Sequence, residues 1–302
     1  MSRCRRYLRA LGPAFLLTFG GAYALSSWNW CGDWELTPPD VELTATARGE
    51  LRAGAGRREV LAPWPVVPAG YGPLVEDVGA AERPLNARAV VLEAGDVRAG
   101  LVSLDALSTS DEVVQQVRAS AGALGLSDVW IIATHSHSSL GGYDDRLLAE
   151  LAGIGQYRDE VRDAFAGAAV DALRDAIADL QPVQLQSGAG ELPALVRHRT
   201  GDAADARFTR VVLAGAAKPV AELWIWSAHP TLVARPIAAL SPDYPGWIEA
   251  GDVPVVLLQG AVGNASAIVP EGEGSAPERY ARALSDAARS VAVEPADASV
   301  FL

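Results

Sequence analysis

Short apolar runs alternate along the chain with segments that repeat apolar residues at helical spacing. The runs are bounded by turn residues and predict strands over residues 87–93, 99–104, 129–134, 208–213, 221–227 and 253–258. Helices are predicted over residues 111–124 and 159–180, and the longer one repeats apolar side chains on one face from Val161 to Ile177. Strands that alternate with helices predict an α/β fold, which we interpret as a mixed-sheet sandwich with helices packed on the sheet.

The N-terminal residues differ in character from the rest of the chain. Arginine is frequent in residues 3–9, and residues 10–25 contain no charged side chain. A basic end followed by an apolar stretch is typical of an export signal. We therefore expect the rest of the chain to lie on the periplasmic or extracellular face of a membrane.

Residues 1–30 are compatible with two kinds of export segment. Residues 22–24, Ala-Tyr-Ala, have the small-x-small form of a signal-peptidase site, which favours a cleaved signal peptide. Trp28 and Trp30 suit a membrane interface and favour an anchor formed by residues 10–30. Both interpretations remain open, and the second predicts a membrane contact through the N-terminus.

Proline separates this segment from the predicted domain. Residues 31–68 are rich in proline and have little periodicity, so we interpret them as a linker and an extended segment that leads into the domain. Residues 69–302 then form a single predicted domain, because the sequence shows no internal repeat and no low-complexity tract.

Composition and charge exclude some classes of partner. The 302 residues are 50% hydrophobic and 21% charged, which is typical of a globular chain with a sizeable core. The formal net charge of -12 argues against a nucleic-acid partner, because binding to phosphates needs a concentrated basic surface. The two cysteines, Cys4 and Cys31, flank the apolar stretch and predict no disulfide framework.

The four histidines are the first candidates for chemistry. His135 and His137 follow one predicted strand and His229 ends another, at the strand ends where α/β sheets bind ligands. Two histidines at i and i+2 can both bind a metal, or only one can, or they can cap the loop by hydrogen bonding. A His-x-His loop also begins the metallo-β-lactamase motif, but residues 138–140, Ser-Ser-Leu, lack its aspartate and third histidine. We therefore exclude that class.

Two later loops add an acid and a hydroxyl. Asp243 lies in residues 241–247, and Ser266 follows the predicted strand 253–258. Together with the loop that His229 opens, these loops present a histidine, an aspartate and a serine.

Seven sequence fragments, in order, resemble the N-terminal domain of neutral/alkaline non-lysosomal ceramidases and their shorter bacterial relatives. The resemblance spans about residues 69 to 270. The fragments are AGYG (69–72), PLNARA (84–89), VSLD (102–105), THSHS (134–138), AHPT (228–231), SPDYPG (241–246) and QGAVGN (259–264).

The resemblance implies a zinc-dependent amidase, since neutral ceramidases hydrolyse the N-acyl bond of ceramide. It implies Zn²⁺ as the cofactor, a lipid-like or small N-acyl amide as the substrate, and His135 and His229 as zinc ligands. His137 would shape the site or contact the substrate, and Ser266 would be the catalytic serine. Asp105 and Asp243 match acidic family positions and are expected to orient histidine rings or to bind water.

The sequence departs from the family around the serine. Asn264 stands in place of an aspartate, and Ala267 stands in place of a proline. The glutamate and the tyrosine that complete the zinc shell in ceramidases lie much further along, and no equivalent segment is visible. These departures favour an alternative hypothesis, a catalytically inactive ceramidase-like domain that serves as an envelope binding or scaffold module.

Other polar residues are candidates for the missing zinc ligands. Asp105 matches a second acidic family position, and either this residue or Asp243 could complete a set of two histidines and one carboxylate. Glu271 and Glu273 could fold back toward the site, although a solvated acidic turn is the simpler interpretation. His198 lies in a basic loop, where we expect a surface or substrate-contact role.

Overall fold

Two five-stranded mixed sheets form the centre of the protein. The structure is a computed structural model and describes residues 46–47, 49–71, 76–201, 203–248, 253–296 and 300–301. In chain order the strands of the described residues are β1 (Thr46–Ala47), β2 (Arg52–Glu59), β3 (Asn86–Ala94), β4 (Val97–Leu104), β5 (Asp128–Ala133), β6 (Gln181–Pro182), β7 (Gln184–Glu191), β8 (Val196–His198), β9 (Arg207–Ala214), β10 (Pro219–Trp226), β11 (Val255–Gln259), β12 (Ala265–Ala267), β13 (Glu294–Pro295) and β14 (Val300–Phe301).

The two large sheets share one pattern of pairing. The first has the order β5-β4-β3-β2-β6 and the second has the order β11-β10-β9-β7-β13. In each sheet the first two strands are parallel, and the remaining neighbours are antiparallel. Each sheet therefore carries one parallel strand pair at an edge, and the carboxyl ends of that pair lie at the same end of the sheet.

Three long helices cover the outer faces of the sheets. They are α1 (Asp111–Ala121), α2 (Asp159–Ala178) and α3 (Ala276–Ser290), and shorter helical turns lie at Gly122–Leu124, Leu147–Ala149, Glu150–Ile154, Pro193–Leu195 and Tyr244–Trp247. Ser110 caps α1, because its side chain accepts a hydrogen bond from the backbone nitrogen of Val113. Ser275 caps α3 in the same way through the nitrogen of Glu278.

The hydrophobic core has three parts that follow from these layers. One part joins the first sheet to α1 and α2 and includes Phe165. A second part joins the second sheet to α3, with Trp224 and Trp226 fully buried. The third part lies between the two sheets and includes Val90 and Leu213. Successive side chains of a strand point to opposite faces, so each sheet buries both of its faces.

The predicted fold class and elements are confirmed. Each predicted strand lies at one of the observed strands β3, β4, β5, β9, β10 and β11, and the two predicted helices are α1, with its following turn, and α2. One boundary differs from the expectation, since β2 lies within residues 31–68 and pairs with β3 over its full length. The domain therefore begins before Ala69, and part of the expected linker is a strand of the sheet.

The described residues belong to one compact unit, Leu43–Leu302. Residues 1–42, which contain the predicted signal peptide or anchor, lie outside the described residues. Among the residues that the structure describes, no helix has the length and apolar character needed to cross a membrane.

Candidate metal centre

The candidate site lies where both parallel strand pairs end. His135 follows β5, which is parallel to β4, and His229 follows β10, which is parallel to β11. Ser266 lies in β12, shortly after β11, and forms an isolated parallel bridge with His229. The carboxyl ends of parallel strands meet at one edge, and this geometry brings residues that are far apart in the sequence into one site.

Three imidazole rings converge at this edge. The centroids of the His135, His137 and His229 rings lie 4.6 to 5.0 Å from one another. One ligand nitrogen from each ring lies within 4.8 Å of the other two, and the Nε2 atoms of His137 and His229 are 2.8 Å apart. We call these three residues the histidine triad.

Backbone carbonyl groups orient the three rings. The Nδ1 atom of His135 lies 2.7 Å from the oxygen of Leu107, that of His137 lies 3.1 Å from the oxygen of Gly70, and that of His229 lies 3.1 Å from the oxygen of Val262. A carbonyl oxygen only accepts, so each Nδ1 must donate its hydrogen. In the neutral ring, Nε2 then carries the lone pair. The lone pairs of His137 and His229 face each other at close range, an arrangement that a shared cation stabilises.

Burial keeps the triad in its neutral form. It lowers the pKa of His135 and of His137, and it lowers the pKa of His229 to about 4. The charge of Arg199 acts in the same direction on all three rings. Since metal ions bind the deprotonated imidazole, all three rings are prepared as ligands at neutral pH.

The backbone is strained or constrained beside two of these rings. His135 has a φ of 66°, in the left-handed region that residues other than glycine rarely adopt. Gly70 has a φ of +97°, and a Cβ atom at this position would lie 2.6 Å from Nδ1 of His137. Glycine at position 70 therefore allows the backbone to approach the His137 ring closely enough for their hydrogen bond.

Asp243 and Tyr244 hold the two ends of the segment that carries His229. The Asp243 carboxylate is fully buried and accepts hydrogen bonds from the backbone nitrogens of Leu232, Val233 and Tyr244 at 2.7, 3.1 and 2.6 Å. The Tyr244 hydroxyl donates to the oxygen of Ala228 at 2.7 Å. Burial raises the pKa of Asp243 to about 6, against the lowering effect of the three donors.

These contacts correct the expected role of the two aspartates. Asp243 binds backbone groups, and carbonyl oxygens rather than carboxylates orient the histidine rings. Asp105 is also fully buried, where it pairs with Arg88 at 2.7 Å and accepts from the backbone nitrogen of Asn86 at 2.9 Å. Both carboxylates already have partners, so His137 is a better third ligand than either of them.

Ser266 lies beside the triad, together with an arginine that the sequence did not single out. Its Oγ atom accepts a hydrogen bond from Nε of Arg199 at 3.2 Å. His198 belongs to a separate group, because its Nε2 atom lies 2.9 Å from the side-chain nitrogen of Asn264. Glu271 and Glu273 are exposed, as expected for a solvated acidic turn.

Tyr71 and Arg235 form a further contact with the triad that sequence reasoning missed. The Tyr71 ring lies 5.6 Å from the His137 ring, and the Arg235 guanidinium stacks over Tyr71 at 4.3 Å. Tyr71 belongs to the fragment AGYG, so its position in a family motif was the available signal. Arg235 had no comparable signal in the sequence.

Comparisons with known proteins agree on one family. Residues 53–205 match the family model described as neutral/alkaline non-lysosomal ceramidase, N-terminal. A crystal structure of neutral ceramidase from Pseudomonas aeruginosa superposes with a TM-score of 0.72 at 22% sequence identity, and a ceramidase complexed with C2 superposes with 0.71 at 22%. Each alignment covers 80% of this chain and 44% of the other, so the chain spans less than half the length of these ceramidases. Curated protein sequences give no match.

Proposed function

Because the chain belongs to the neutral/alkaline non-lysosomal ceramidase family, we propose that it is an exported, zinc-dependent amidase that acts on a lipid-like or small N-acyl amide. In this proposal residues 1–30 act as the export signal or membrane anchor. The single observation that carries the proposal is the convergence of three imidazole nitrogens whose hydrogen-bonded partners leave Nε2 as the metal-binding atom.

The donor set of the triad fits zinc. Catalytic zinc sites commonly use three protein ligands and keep the fourth position open for water or substrate, and three neutral imidazoles are one such set. His135, His137 and His229 would hold the ion. When bound, zinc supplies Lewis acidity toward a carbonyl oxygen and lowers the pKa of a water molecule to about 7.

Ser266 and Arg199 are placed to assist at the amide carbonyl. Because Ser266 Oγ accepts its hydrogen bond from Arg199, its own hydroxyl hydrogen is available for donation to a substrate oxygen. The Arg199 guanidinium would stabilise negative charge that develops on that oxygen. Ser266 and Arg199 both belong to this chain, so stabilisation of the substrate oxygen requires no further residue.

Exposed leucines on a segment that is hydrogen-bonded to Gly70 support a lipid-like acyl group. Leu147, Leu148 and Leu151 are 69%, 79% and 59% exposed on one short helical segment. The same segment contains Gly153, whose carbonyl oxygen accepts a hydrogen bond from the nitrogen of Gly70 at 2.7 Å. Gly70 also accepts a hydrogen bond from the His137 ring, so the segment with the exposed leucines is connected to the candidate metal centre through this one residue.

The proposal is tested with the full chain and its Ser266→Ala variant. We expect close to one zinc per chain by elemental analysis, and we expect release of fatty acid from an N-acyl amide. Ser266→Ala should retain the zinc and lose about 100-fold in rate, the usual effect of removing one donor to a developing oxyanion. Ser120→Ala is the matched control, because Ser120 is a partly exposed helix residue whose hydroxyl donates to the backbone oxygen of Gln116 in its own helix.

Two outcomes would contradict parts of this proposal. A purified chain that binds no metal when zinc is supplied would favour the binding or scaffold module instead. A Ser266→Ala variant that hydrolyses the amide at the rate of the unaltered chain would remove Ser266 from the reaction.

Asp243→Asn tests whether the segment after His229 positions the metal ligand. The asparagine side chain loses one acceptor and turns an amide group toward backbone N–H donors that remain buried. We expect a loss of about 2 kcal/mol in the free energy of unfolding and about tenfold weaker zinc binding, measured by competition with a chelating dye. Asp205→Asn, at an exposed pair with Arg207, should change neither quantity appreciably. Unchanged zinc affinity in Asp243→Asn would show that the segment does not position His229.

A further inference from the structure

The candidate metal centre is positively charged in a protein whose net charge is -12. Several arginines elsewhere in the described residues pair with carboxylates, for example Arg58 with Asp175 and Arg210 with Glu222. Arg199 and Arg235 instead contact Ser266 and Tyr71, and neither forms an ion pair within 4.0 Å with a carboxylate of the residues that the structure describes. Two arginines without an ion-pair partner therefore lie beside the histidine triad.

The two aspartates that the sequence assigns to the site do not cancel this charge. Asp243 is fully buried, and its carboxylate accepts hydrogen bonds from three backbone N–H groups. Asp105 is fully buried as well and is paired with Arg88. Neither carboxylate is exposed to a bound substrate, so the charge that a substrate meets is that of the arginines and of any bound cation.

The two arginines approach the triad through different partners. Arg199 reaches it through Ser266, next to the expected position of the reacting carbonyl. Arg235 reaches it through Tyr71, because its guanidinium lies over the Tyr71 ring. One arginine is sufficient for a developing oxyanion, so the charge of Arg235 requires a separate explanation. Its guanidinium is exposed and has further N–H donors for a ligand.

We propose that Arg235 is a specificity-determining residue that selects N-acyl amides with an anionic group, a carboxylate or a phosphate, on the amine half. The inference rests on the proposed amidase function. A hydrocarbon acyl chain offers no charge, so an anion that Arg235 recognises belongs to the other half of the substrate. Guanidinium groups bind carboxylate and phosphate oxygens through paired N–H donors, which neutral hydroxyl groups match less well.

The test measures binding of three ligands with the same acyl chain. They are analogues of an N-acylglycine, an N-acylphosphoethanolamine and an N-acylethanolamine in which a methylene group replaces the amide N–H, so that they cannot be hydrolysed. Titration calorimetry is carried out on the full zinc-loaded chain at low and at high salt. We expect the anionic analogues to bind about tenfold more tightly than the neutral one at low salt, and we expect less difference at high salt.

Arg235→Gln should reduce that preference about fivefold or more with unchanged zinc content. Arg197→Gln is the matched control, because Arg197 is an exposed arginine in β8 on the same segment as Arg199. A chain that binds all three analogues equally, or that keeps its preference in Arg235→Gln, would overturn the inference. Zinc-loaded protein that binds none of the three would do so too. Failure to bind zinc would instead contradict the proposed function.

Discussion

His137→Ala is expected to weaken zinc binding at least about 100-fold, as strongly as His135→Ala or His229→Ala. Zinc sites with four ligands bind with roughly 10–16 kcal/mol, so each ligand contributes about 3 kcal/mol. The structure gives His137 the same features as the other two rings, namely a carbonyl partner for Nδ1, a pKa lowered by burial and an Nε2 atom close to His229. Loss of any one ring should therefore have a comparable cost.

The measurement is a zinc titration of each single variant against a chelator of known affinity. His198→Ala is the control, because this fourth histidine contacts Asn264 and lies outside the triad. The family resemblance alone assigns His137 to the substrate and predicts that His137→Ala keeps full zinc affinity. That result, combined with loss of zinc in the other two variants, would reject the three-histidine site and leave a two-histidine site in its place.

Gly54→Ala is expected to destabilise the domain by about 3 kcal/mol or to prevent its folding. A Cβ atom at Gly54 would overlap the carbonyl oxygen of Ala176 and would lie 2.8 Å from the backbone nitrogen of Leu180. These atoms belong to the backbone at the end of α2, so no change of rotamer can relieve the contact. Helix α2 would have to move away from β2, which disrupts the core between them.

Gly167→Ala, in α2, is expected to have the opposite effect on the stability of the domain. Gly167 is exposed in the middle of α2, and an added Cβ atom would meet nothing within 4 Å. Alanine there should stabilise the domain by about 0.5–1 kcal/mol, because glycine loses more backbone entropy on folding. Urea unfolding of both variants gives the comparison. Equal stability of Gly54→Ala and the unaltered chain would show that α2 does not lie this close to β2.

The same close approach explains why sequence reasoning missed β2. Its residues 52–59, RAGAGRRE, contain small and charged side chains and no run of large apolar ones. The small residues are required because the backbone of α2 occupies the space that larger side chains would fill. Strand β7 was missed for a related reason, since its polar residues are only partly buried. Patterns of hydrophobic residues detect strands that bury large side chains, and these two strands do not.

The candidate site was also only partly predictable. His135, His229 and Ser266 were found because each follows an apolar strand within a family motif, and the structure brings all three together. The position of Arg235 depends on a loop that folds back over Tyr71. The number of residues between them in the sequence contains no information about that contact, because it arises from long-range packing.

By itself the sequence determined the fold class, six of the strands, two of the three long helices, the family and the residue types available for chemistry. These properties depend on local periodicity and on short motifs, which neighbouring residues encode. Only the tertiary structure decided that His137 joins the other two rings, that backbone carbonyls rather than Asp105 and Asp243 orient them, and that two arginines face the site. The physical reason is that the triad forms where the parallel strand pairs of two different sheets end side by side, so its geometry depends on how those sheets stack.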